Sequence, residues 1–289
     1  MKKILKVTGI ALLSIIMIVL LGYAYITYSI NTEMKRVYEF APHRIDVSRD
    51  SSSLELGKHL VLIRGCVDCH GADLGGKLMN DDFGIGTLPA SNLTKGKGGL
   101  QVNYSIEDWT DALRHGIAKD GKPLLFMPSH ESAPMSDQDI GAIIAYVESL
   151  PLVDNVLPEM KAGPIAEVLA YFDMIPMLSV KLINHDAVSL KRTDTMQGIA
   201  QGKYLSVSCQ SCHRVDMRGG DPLAPGQPPV PDITSTGAAG WSESAFINAL
   251  RTGITPTGKQ MRNEDMPWKM TSHYTDQEIK SLYKYLKSI

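Results

Sequence analysis

The residues of this sequence most capable of chemistry lie in two pentapeptides, CVDCH at 66–70 and CQSCH at 209–213. Together they contain all four cysteines of the 289-residue chain, which are Cys66, Cys69, Cys209 and Cys212. Two thiols spaced in this way and followed at once by a histidine are typical of covalent c-type haem attachment. The thiols add to the vinyl groups of one porphyrin, and the histidine binds its iron. The sequence therefore predicts two haem c groups, with His70 and His213 as the proximal iron ligands.

Two other interpretations of the cysteine pairs remain open at this point. A Cys-x-x-Cys pair also occurs in dithiol redox sites and supplies half of many zinc sites. A dithiol redox site would not need a histidine after the second cysteine in both copies. A zinc site shared by all four cysteines would leave His70 and His213 without a role. Haem attachment is the interpretation that uses every one of these residues.

Composition and charge give no indication of a nucleic-acid partner. The formal net charge is -2, charged residues make up 21% of the chain, and no Lys/Arg run stands out. The length allows about two domains. Apolar residues make up 44% of the chain and are concentrated at the N-terminus.

The N-terminal segment contains a mostly apolar, uncharged run over residues 7–26, close to the ~20 residues that cross a bilayer as a helix. Lysines precede this run and tyrosines surround its end, at Lys2, Lys3, Lys6, Tyr23, Tyr25 and Tyr28. The lysines leave the N-terminus in the cytoplasm, and the tyrosines match an interfacial aromatic belt. A cleaved signal peptide is the alternative, but its apolar core is shorter, roughly 7–15 residues. We expect an uncleaved anchor over residues 1–28.

The rest of the chain divides into a tether at 29–53, a first domain at 54–150, an interdomain segment at 151–194 and a second domain at 195–289. The tether is polar, and residues 71–99 have the Gly, Asn and Asp content of loops. Ser105 and Ser136 each precede an acid by three residues and are predicted to open helices. The interdomain segment is too apolar for a flexible linker. It is predicted to form one or two short helices packed between the domains.

The second half of the chain repeats the first. The matching segments are GKHL at 57–60 with GKYL at 202–205, SNLT at 91–94 with PDIT at 231–234, ALRHGI at 112–117 with ALRTGI at 249–254, SDQDI at 136–140 with TDQEI at 275–279, and Tyr146 with Tyr285. A repeat of this length indicates duplicated domains rather than a solenoid.

The repeat also selects a second iron ligand in each half. A c-type iron usually takes a methionine sulfur or a second histidine opposite the proximal histidine. The candidates in the first half are Met127, Met135, His115 and His130. Only Met127 has a counterpart of its own type, because the Met-Pro pair at 127–128 recurs at 266–267. The sequence therefore predicts Met127 and Met266 as the distal ligands.

Each half resembles a class I cytochrome c domain in its Gly-Lys helix, its haem motif, its Asn-Leu-Thr or Asp-Ile-Thr loop, its Met-Pro pair and its capped last helix. The whole chain resembles the membrane-anchored cytochrome subunits of periplasmic alcohol, aldehyde and gluconate dehydrogenases. Those subunits typically carry three haems, whereas this chain has two motifs, and their membrane segment is often at the other end. The resemblance implies an all-α fold of two tandem class I cytochrome c domains with an N-terminal transmembrane helix. The first helix of each domain, near Gly57 or Gly202, would cross the last, near Tyr146 or Tyr285.

The same resemblance implies where the protein works and what it does. Haem is attached on the outer side of the inner membrane, so the haem domains are expected in the periplasm. We expect an electron carrier between a periplasmic dehydrogenase or other donor and the respiratory chain. Its redox partners would include a small electron carrier, a terminal oxidase or a quinone-linked complex.

Two other functions remain as alternatives. A dihaem peroxidase needs one iron with an open position, and the Met-Pro pair in both halves argues against that. A haem-based sensor or scaffold should carry an output domain, and the sequence shows none beyond the anchor and two haem domains.

Overall fold

The structure is a computed structural model that describes residues 2–187, 198–223 and 226–289. It is mainly helical, which confirms the predicted fold class, and it also contains a small sheet. The helices are α1 (Lys2–Met34), α2 (Ser51–Ile63), α3 (Cys66–His70), α4 (Ile106–Thr110), α5 (Ser129–Ser132), α6 (Asp137–Ser149), α7 (Pro164–Tyr171), α8 (Ile199–Leu205), α9 (Gln210–His213), α10 (Glu243–Thr252), α11 (Trp268–Thr271) and α12 (Asp276–Lys287). The strands are β1 (Lys77–Asp82), β2 (Gly86–Ala90) and β3 (Lys161–Ala162).

The apolar run predicted as an anchor lies within α1, which continues to Met34. Among the described residues, α1 is the one helix whose length and hydropathy suit a membrane crossing. Its apolar side chains are exposed along the run, and only its last turns contact the rest of the protein. There Ile30 is buried, and Thr27 Oγ1 donates a 2.8 Å hydrogen bond to Glu167 in α7. The helix continues beyond the apolar run because these contacts stabilise its polar final turns.

Residues 35–49, predicted as part of a tether, lie along the first domain. The Tyr38 amide donates to the Gly121 carbonyl at 2.9 Å, and Ile45 is buried in the main core. Arg49 forms a 2.6 Å ion pair with Glu148 at the end of α6. These contacts could not be predicted from the polar composition of the segment, because only a few of its apolar side chains face the domain.

The first and last helices of each half cross at a glycine. A Cβ atom on Gly57 would lie 2.0 Å from the Ala142 carbonyl oxygen in α6. A Cβ atom on Gly202 would lie 2.0 Å from the Ser281 carbonyl oxygen in α12. Since any side chain would force the helices apart, only glycine permits this approach. The crossing implied by the resemblance is therefore present in both halves.

One hydrophobic core extends through both halves of the chain. Its most buried members include Val61, Ile63, Ile140 and Ile144 from the first half and Met217, Ile279 and Leu286 from the second. A second, smaller cluster lies at the end of α1 and is made of Ile30, Ile117, Met177, Leu178 and Val180.

Residues 71–99, predicted as loop, contain a β-hairpin. Strands β1 and β2 pair antiparallel, and β3 adds to the outer edge of β2. The hairpin closes at Gly86, whose φ is +110° and whose Cβ position would lie 2.0 Å from the Lys161 carbonyl oxygen. The polar sequence of β1 has no clear alternation of apolar residues because nearly all of this strand is exposed. The loop interpretation was wrong for these residues for that reason.

The interdomain segment contains α7 and a short 3₁₀ turn at Ser179–Lys181. A short helix was predicted here, but α7 packs against α1 rather than only between the domains. Residues 188–194 of this segment lie outside the described residues.

Two of the contacts between the halves are made at equivalent positions of the repeat. His59 Nε2 lies 2.9 Å from Glu278 Oε1, and the Tyr204 hydroxyl donates to Asp139 Oδ2 at 2.5 Å. His59 and Tyr204 are the same position of the repeat, as are Asp139 and Glu278. Each first helix thus reaches the last helix of the other half, which is the reciprocal pattern of a two-fold interface.

Candidate functional site

Each haem motif lies in a short helical segment. The first is α3, and the second is a 3₁₀ turn at Ser206–Cys209 followed by α9. No disulfide joins the four cysteines, all of which lie among the described residues. Burial raises the pKa of Cys66 to about 11 and the pKa of Cys209 to about 12. Redox-active dithiols have a lowered thiol pKa, so these surroundings argue against the dithiol interpretation.

The two motif histidines make the same hydrogen bond. His70 Nδ1 lies 2.7 Å from the Ser91 carbonyl oxygen, and His213 Nδ1 lies 2.9 Å from the Pro231 carbonyl oxygen. A carbonyl only accepts, so each ring donates through Nδ1 and keeps the Nε2 lone pair for a metal. Burial lowers the pKa of both histidines, although the carbonyl bonds oppose it. The neutral ring is the form that binds iron.

Sequence reasoning missed the role of these carbonyls, although it matched the segments that carry them. Ser91 and Pro231 open the SNLT and PDIT segments of the repeat. Any residue type can supply a backbone carbonyl, so only the recurrence of the segment in both halves could have indicated its function.

The two predicted distal methionines have the same local structure. Met127 precedes Pro128 and α5, and Met266 precedes Pro267 and α11. The methionine carbonyl accepts from the amide two residues later in each case, at 2.8 Å and 2.6 Å. The prolines have φ and ψ of -80° and 55°, and of -73° and 63°. The repeat therefore reproduces the backbone at both methionines.

The other candidates in the first half each have different surroundings. Met135 is 2% exposed and belongs to the core. His115 Nδ1 lies 2.9 Å from His185 Nδ1, and His130 Nδ1 lies 3.1 Å from Ser179 Oγ.

An arginine in each half holds the segment that follows the methionine. Arg114 Nη1 donates to the carbonyls of Ala133 and Met135, and Arg251 Nη1 donates to the carbonyl of Ser272. Each arginine also pairs with an acid at the start of the last helix, Asp137 at 2.5 Å or Asp276 at 2.8 Å.

A hydroxyl adds a further tie in each half. Ser132 Oγ donates to the Leu113 carbonyl at 2.6 Å, and Thr271 Oγ1 donates to the Leu250 carbonyl at 2.8 Å. These contacts fix the methionine segment against the preceding helix. The sequence comparison matched the arginines without giving them this role.

In the second half, a cavity of about 740 Å³ brings the predicted site residues together. Cys209, Cys212, His213 and Met266 all line it. Much of its remaining wall is apolar, including Trp241, Phe246, Leu250, Leu282 and Leu286. The volume is that of a cofactor site. An apolar cavity with two thiols, an imidazole and a thioether fits a covalently attached haem.

Comparison with known proteins agrees with this geometry. The sequence profile of the cytochrome c family matches residues 54–151 and 199–289. The chain belongs to the cytochrome c family. Covalently bound haem c, predicted from the motifs, is the cofactor of this family. Each matched range contains one haem motif, and the second range also contains the residues that line the cavity near Cys209 and Met266.

Three relatives show which kinds of cytochrome c this chain is similar to. It is 27% identical to the cytochrome c subunit of alcohol dehydrogenase (quinone) of Gluconobacter oxydans, over 83% of this chain and 55% of the relative. It is 26% identical to the gluconate 2-dehydrogenase cytochrome c subunit of Pantoea cypripedii, over 84% and 61%. It is 23% identical to the fructose dehydrogenase cytochrome subunit of Gluconobacter japonicus, over 86% and 53%. The chain thus spans little more than half the length of these relatives.

Proposed function

We propose that this cytochrome c is an electron carrier with two haem c groups. His70 and Met127 would bind one iron, and His213 and Met266 would bind the other. The observation that carries the proposal is that one cavity of the second half collects both thiols, the histidine and the Met-Pro methionine. The first half repeats the carbonyl-bound histidine and the Met-Pro backbone.

In this proposal, the residues of the chain keep each haem iron bound to one histidine and one methionine. Haem c supplies one-electron exchange between ferric and ferrous iron, and a His/Met pair raises its reduction potential. The carbonyl at each histidine fixes the ring, and the arginine contacts fix the methionine segment. With His70 and Met127 bound to one iron and His213 and Met266 to the other, neither iron would have a site for a substrate. This supports a carrier over a dihaem peroxidase.

The donor we propose is a periplasmic dehydrogenase, because the relatives named above are cytochrome subunits of dehydrogenases. The acceptor would be a component of the respiratory chain, reached directly or through a small electron carrier. No nucleic-acid partner is proposed for a chain of net charge -2.

We further propose that α1 spans the inner membrane once and that the haem domains lie on the periplasmic side. The exposed apolar side chains of α1 and the lysines before them support this orientation. The haem domains would occupy residues 54–150 and 195–289. N-terminal sequencing of the mature protein tests this, since a start just after Ala24 would show cleavage.

Haem content and coordination are tested on the purified membrane protein. We expect the mass of the polypeptide plus two haems and a haem-staining band in a denaturing gel. A ferric haem with a thioether ligand gives a weak far-red charge-transfer band. Met127→Ala should remove part of this band and the double change with Met266→Ala all of it, whereas Met174→Ala, at an exposed position, should remove none.

Three results would contradict parts of the proposal. A mass equal to that of the bare chain would end the haem assignment. Rapid carbon monoxide binding by the unmutated protein would show an open iron and favour the peroxidase. An intact band in Met127→Ala would assign the ligand to Met135 instead.

A further inference from the structure

Four large apolar side chains are exposed close to the end of the anchor helix. Phe83 is 89% exposed at the tip of the β-hairpin, and Ile165 is 53% exposed at the start of α7. Phe172 and Met174 follow α7 and are 60% and 65% exposed. We call these four residues the α7 apolar surface. A soluble domain has no reason to expose aromatic side chains so fully around one helix.

Backbone and ring contacts join these residues into one unit. The Ile165 amide donates to the Gly84 carbonyl at 2.9 Å, which places the hairpin tip beside the first turn of α7. The rings of Tyr171 and Phe172 are 5.1 Å apart in an edge-to-face arrangement. The hairpin tip therefore packs on the first turn of α7, and Phe172 packs on its last residue.

This unit is fixed to α1 at the level where the apolar run ends. Glu167 is 8% exposed and accepts a hydrogen bond from Thr27, immediately after the run at 7–26. The rings of Tyr25 and Tyr171 are 6.1 Å apart. A run of 20 residues at 1.5 Å per residue has about the thickness of the hydrocarbon core, so its end lies near the headgroups. Because Tyr171 and Glu167 contact that end directly, these positions of α7 are held near the same depth, with the Tyr171 end nearer the apolar run.

We propose that the α7 apolar surface lies in the headgroup region of the outer leaflet and gives the haem domains a second contact with the bilayer. Exposed aromatic side chains at this depth fit the polar–apolar boundary of a membrane. Exposed charges of both signs flank the surface, at Asp82, Lys161 and Asp173, which fits a zwitterionic lipid surface. This proposal rests on the proposed membrane crossing of α1.

Such a contact sets the orientation of the haem domains. A single helix followed by a flexible tether would let them turn freely above the membrane. Contacts of α7 with both α1 and the lipid surface would instead hold the first domain in one orientation. Redox partners in the same membrane would then meet one fixed face of the protein.

The test uses the full haem-loaded chain in phosphatidylcholine nanodiscs. The photoreactive residue benzoylphenylalanine is placed at Phe172 or Phe83, and lipid adducts are measured by mass spectrometry after irradiation. We expect at least tenfold more lipid adduct from either position than from Leu152. Leu152 is a matched control because it is 70% exposed and lies at the far end of the extended segment that leads to β3. Unchanged haem spectra show that each variant is folded.

A fourth position separates the two proposals. Benzoylphenylalanine at Leu13, in the middle of α1, reports on the anchor alone. Adducts from Leu13 without adducts from Phe172 and Phe83 would overturn the lipid contact and leave the anchor intact. A lack of adducts from Leu13 would overturn both. Protein–protein adducts from Phe172 in place of lipid adducts would assign this surface to a second copy or another partner.

Discussion

Arg64 Nη1 donates a 2.7 Å hydrogen bond to Ser208 Oγ and thereby places a guanidinium group between the two haem motifs. Arg64 lies two residues before Cys66, and Ser208 lies immediately before Cys209. Its Nε and Nη2 atoms are buried and have no hydrogen-bond partner within the described parts of the chain. Its positive charge opposes the effect of burial on the pKa of both Cys66 and Cys209. One buried cation thus acts on both sites.

Arg64→Gln should lower the reduction potentials of both haems. Ferric haem carries one more positive charge than ferrous haem, so a nearby fixed cation disfavours the ferric form. We expect a shift of about 59 mV, a tenfold change for a one-electron couple, in spectroelectrochemical titration. Arg64→Lys keeps the positive charge and should therefore shift the two reduction potentials much less. Arg49→Gln is the control, because it removes an exposed arginine at the surface. A shift at one haem alone would show that Arg64 does not act between the sites.

The two equivalent arginines should differ in their effect on stability. Arg114 has a side-chain exposure of 6%, whereas that of Arg251 is 28%. Arg114→Gln leaves buried carbonyls without a donor and should lower the free energy of unfolding by roughly 2–3 kcal/mol. Arg251→Gln should cost about 1 kcal/mol, because water can replace the lost contacts. Urea unfolding of the haem-loaded protein measures both values.

The far-red band supplies a separate readout for the same variants. Since each arginine holds one methionine segment, each change should weaken the part of the band that belongs to its own half. If both variants lose the expected stability but the far-red band is unchanged, the arginines stabilise the domains without positioning the methionines.

The contact between His59 and Glu278 should make the interface between the halves sensitive to acid. Burial acts to raise the pKa of Glu278, but hydrogen bonds from His59 and Thr275 outweigh it and lower the pKa below its ordinary 4.5. A carboxyl with a lowered pKa stabilises the folded state above its ordinary pKa, and this is lost as pH falls through the folded value. Glu278→Gln should therefore cost about 1 kcal/mol at pH 7.

That cost should begin to shrink as pH falls below about 4.5 and disappear only below the lowered folded pKa, where the wild-type carboxyl is also protonated in the folded protein. Urea unfolding at a series of pH values measures the difference. Glu159→Gln, at an exposed position, serves as the control and should have no effect at any pH. A cost that stays constant with pH would assign the role of Glu278 to packing.

Gly202→Ala should separate α8 from α12. The added Cβ would lie 2.0 Å from the Ser281 carbonyl oxygen, so the helices must shift. Overpacking of this kind costs roughly 1–3 kcal/mol, and a clash with backbone lies at the upper end of that range. Lys203→Ala changes the exposed neighbour and should be nearly neutral. Calorimetry of the haem-loaded protein distinguishes the two, and equal melting temperatures would contradict the close crossing.

Recurring residue types allowed much of this fold to be predicted from the sequence. Gly57 and Gly202 recur because the helix crossing excludes every other residue. The haem motifs recur because thiol and imidazole chemistry cannot be replaced, and covalent haem c follows from them. The Met-Pro pairs at 127 and 266 share one backbone structure, and their ligand role stays a prediction.

Contacts that depend on backbone atoms or on exposed strands could not be predicted in this way. The carbonyl at Ser91 acts through an atom that every residue has. The β1 strand is polar because little of it is buried, so its sequence resembles a loop. The His59–Glu278 and Tyr204–Asp139 contacts join residues of different type at equivalent positions. An alignment of the repeat treats those differences as mismatches rather than as an interface.

The reciprocal contacts between the halves have the form of a homodimer interface enclosed within one chain. In a true homodimer the two contacts would be identical, because one gene would encode both. Here the two contacts differ, with an imidazole and a carboxyl on one side and a phenol and a carboxyl on the other. In the proposed two-haem carrier, fusion of the halves would allow two haems in similar folds to differ in reduction potential, which would give electron flow a preferred direction.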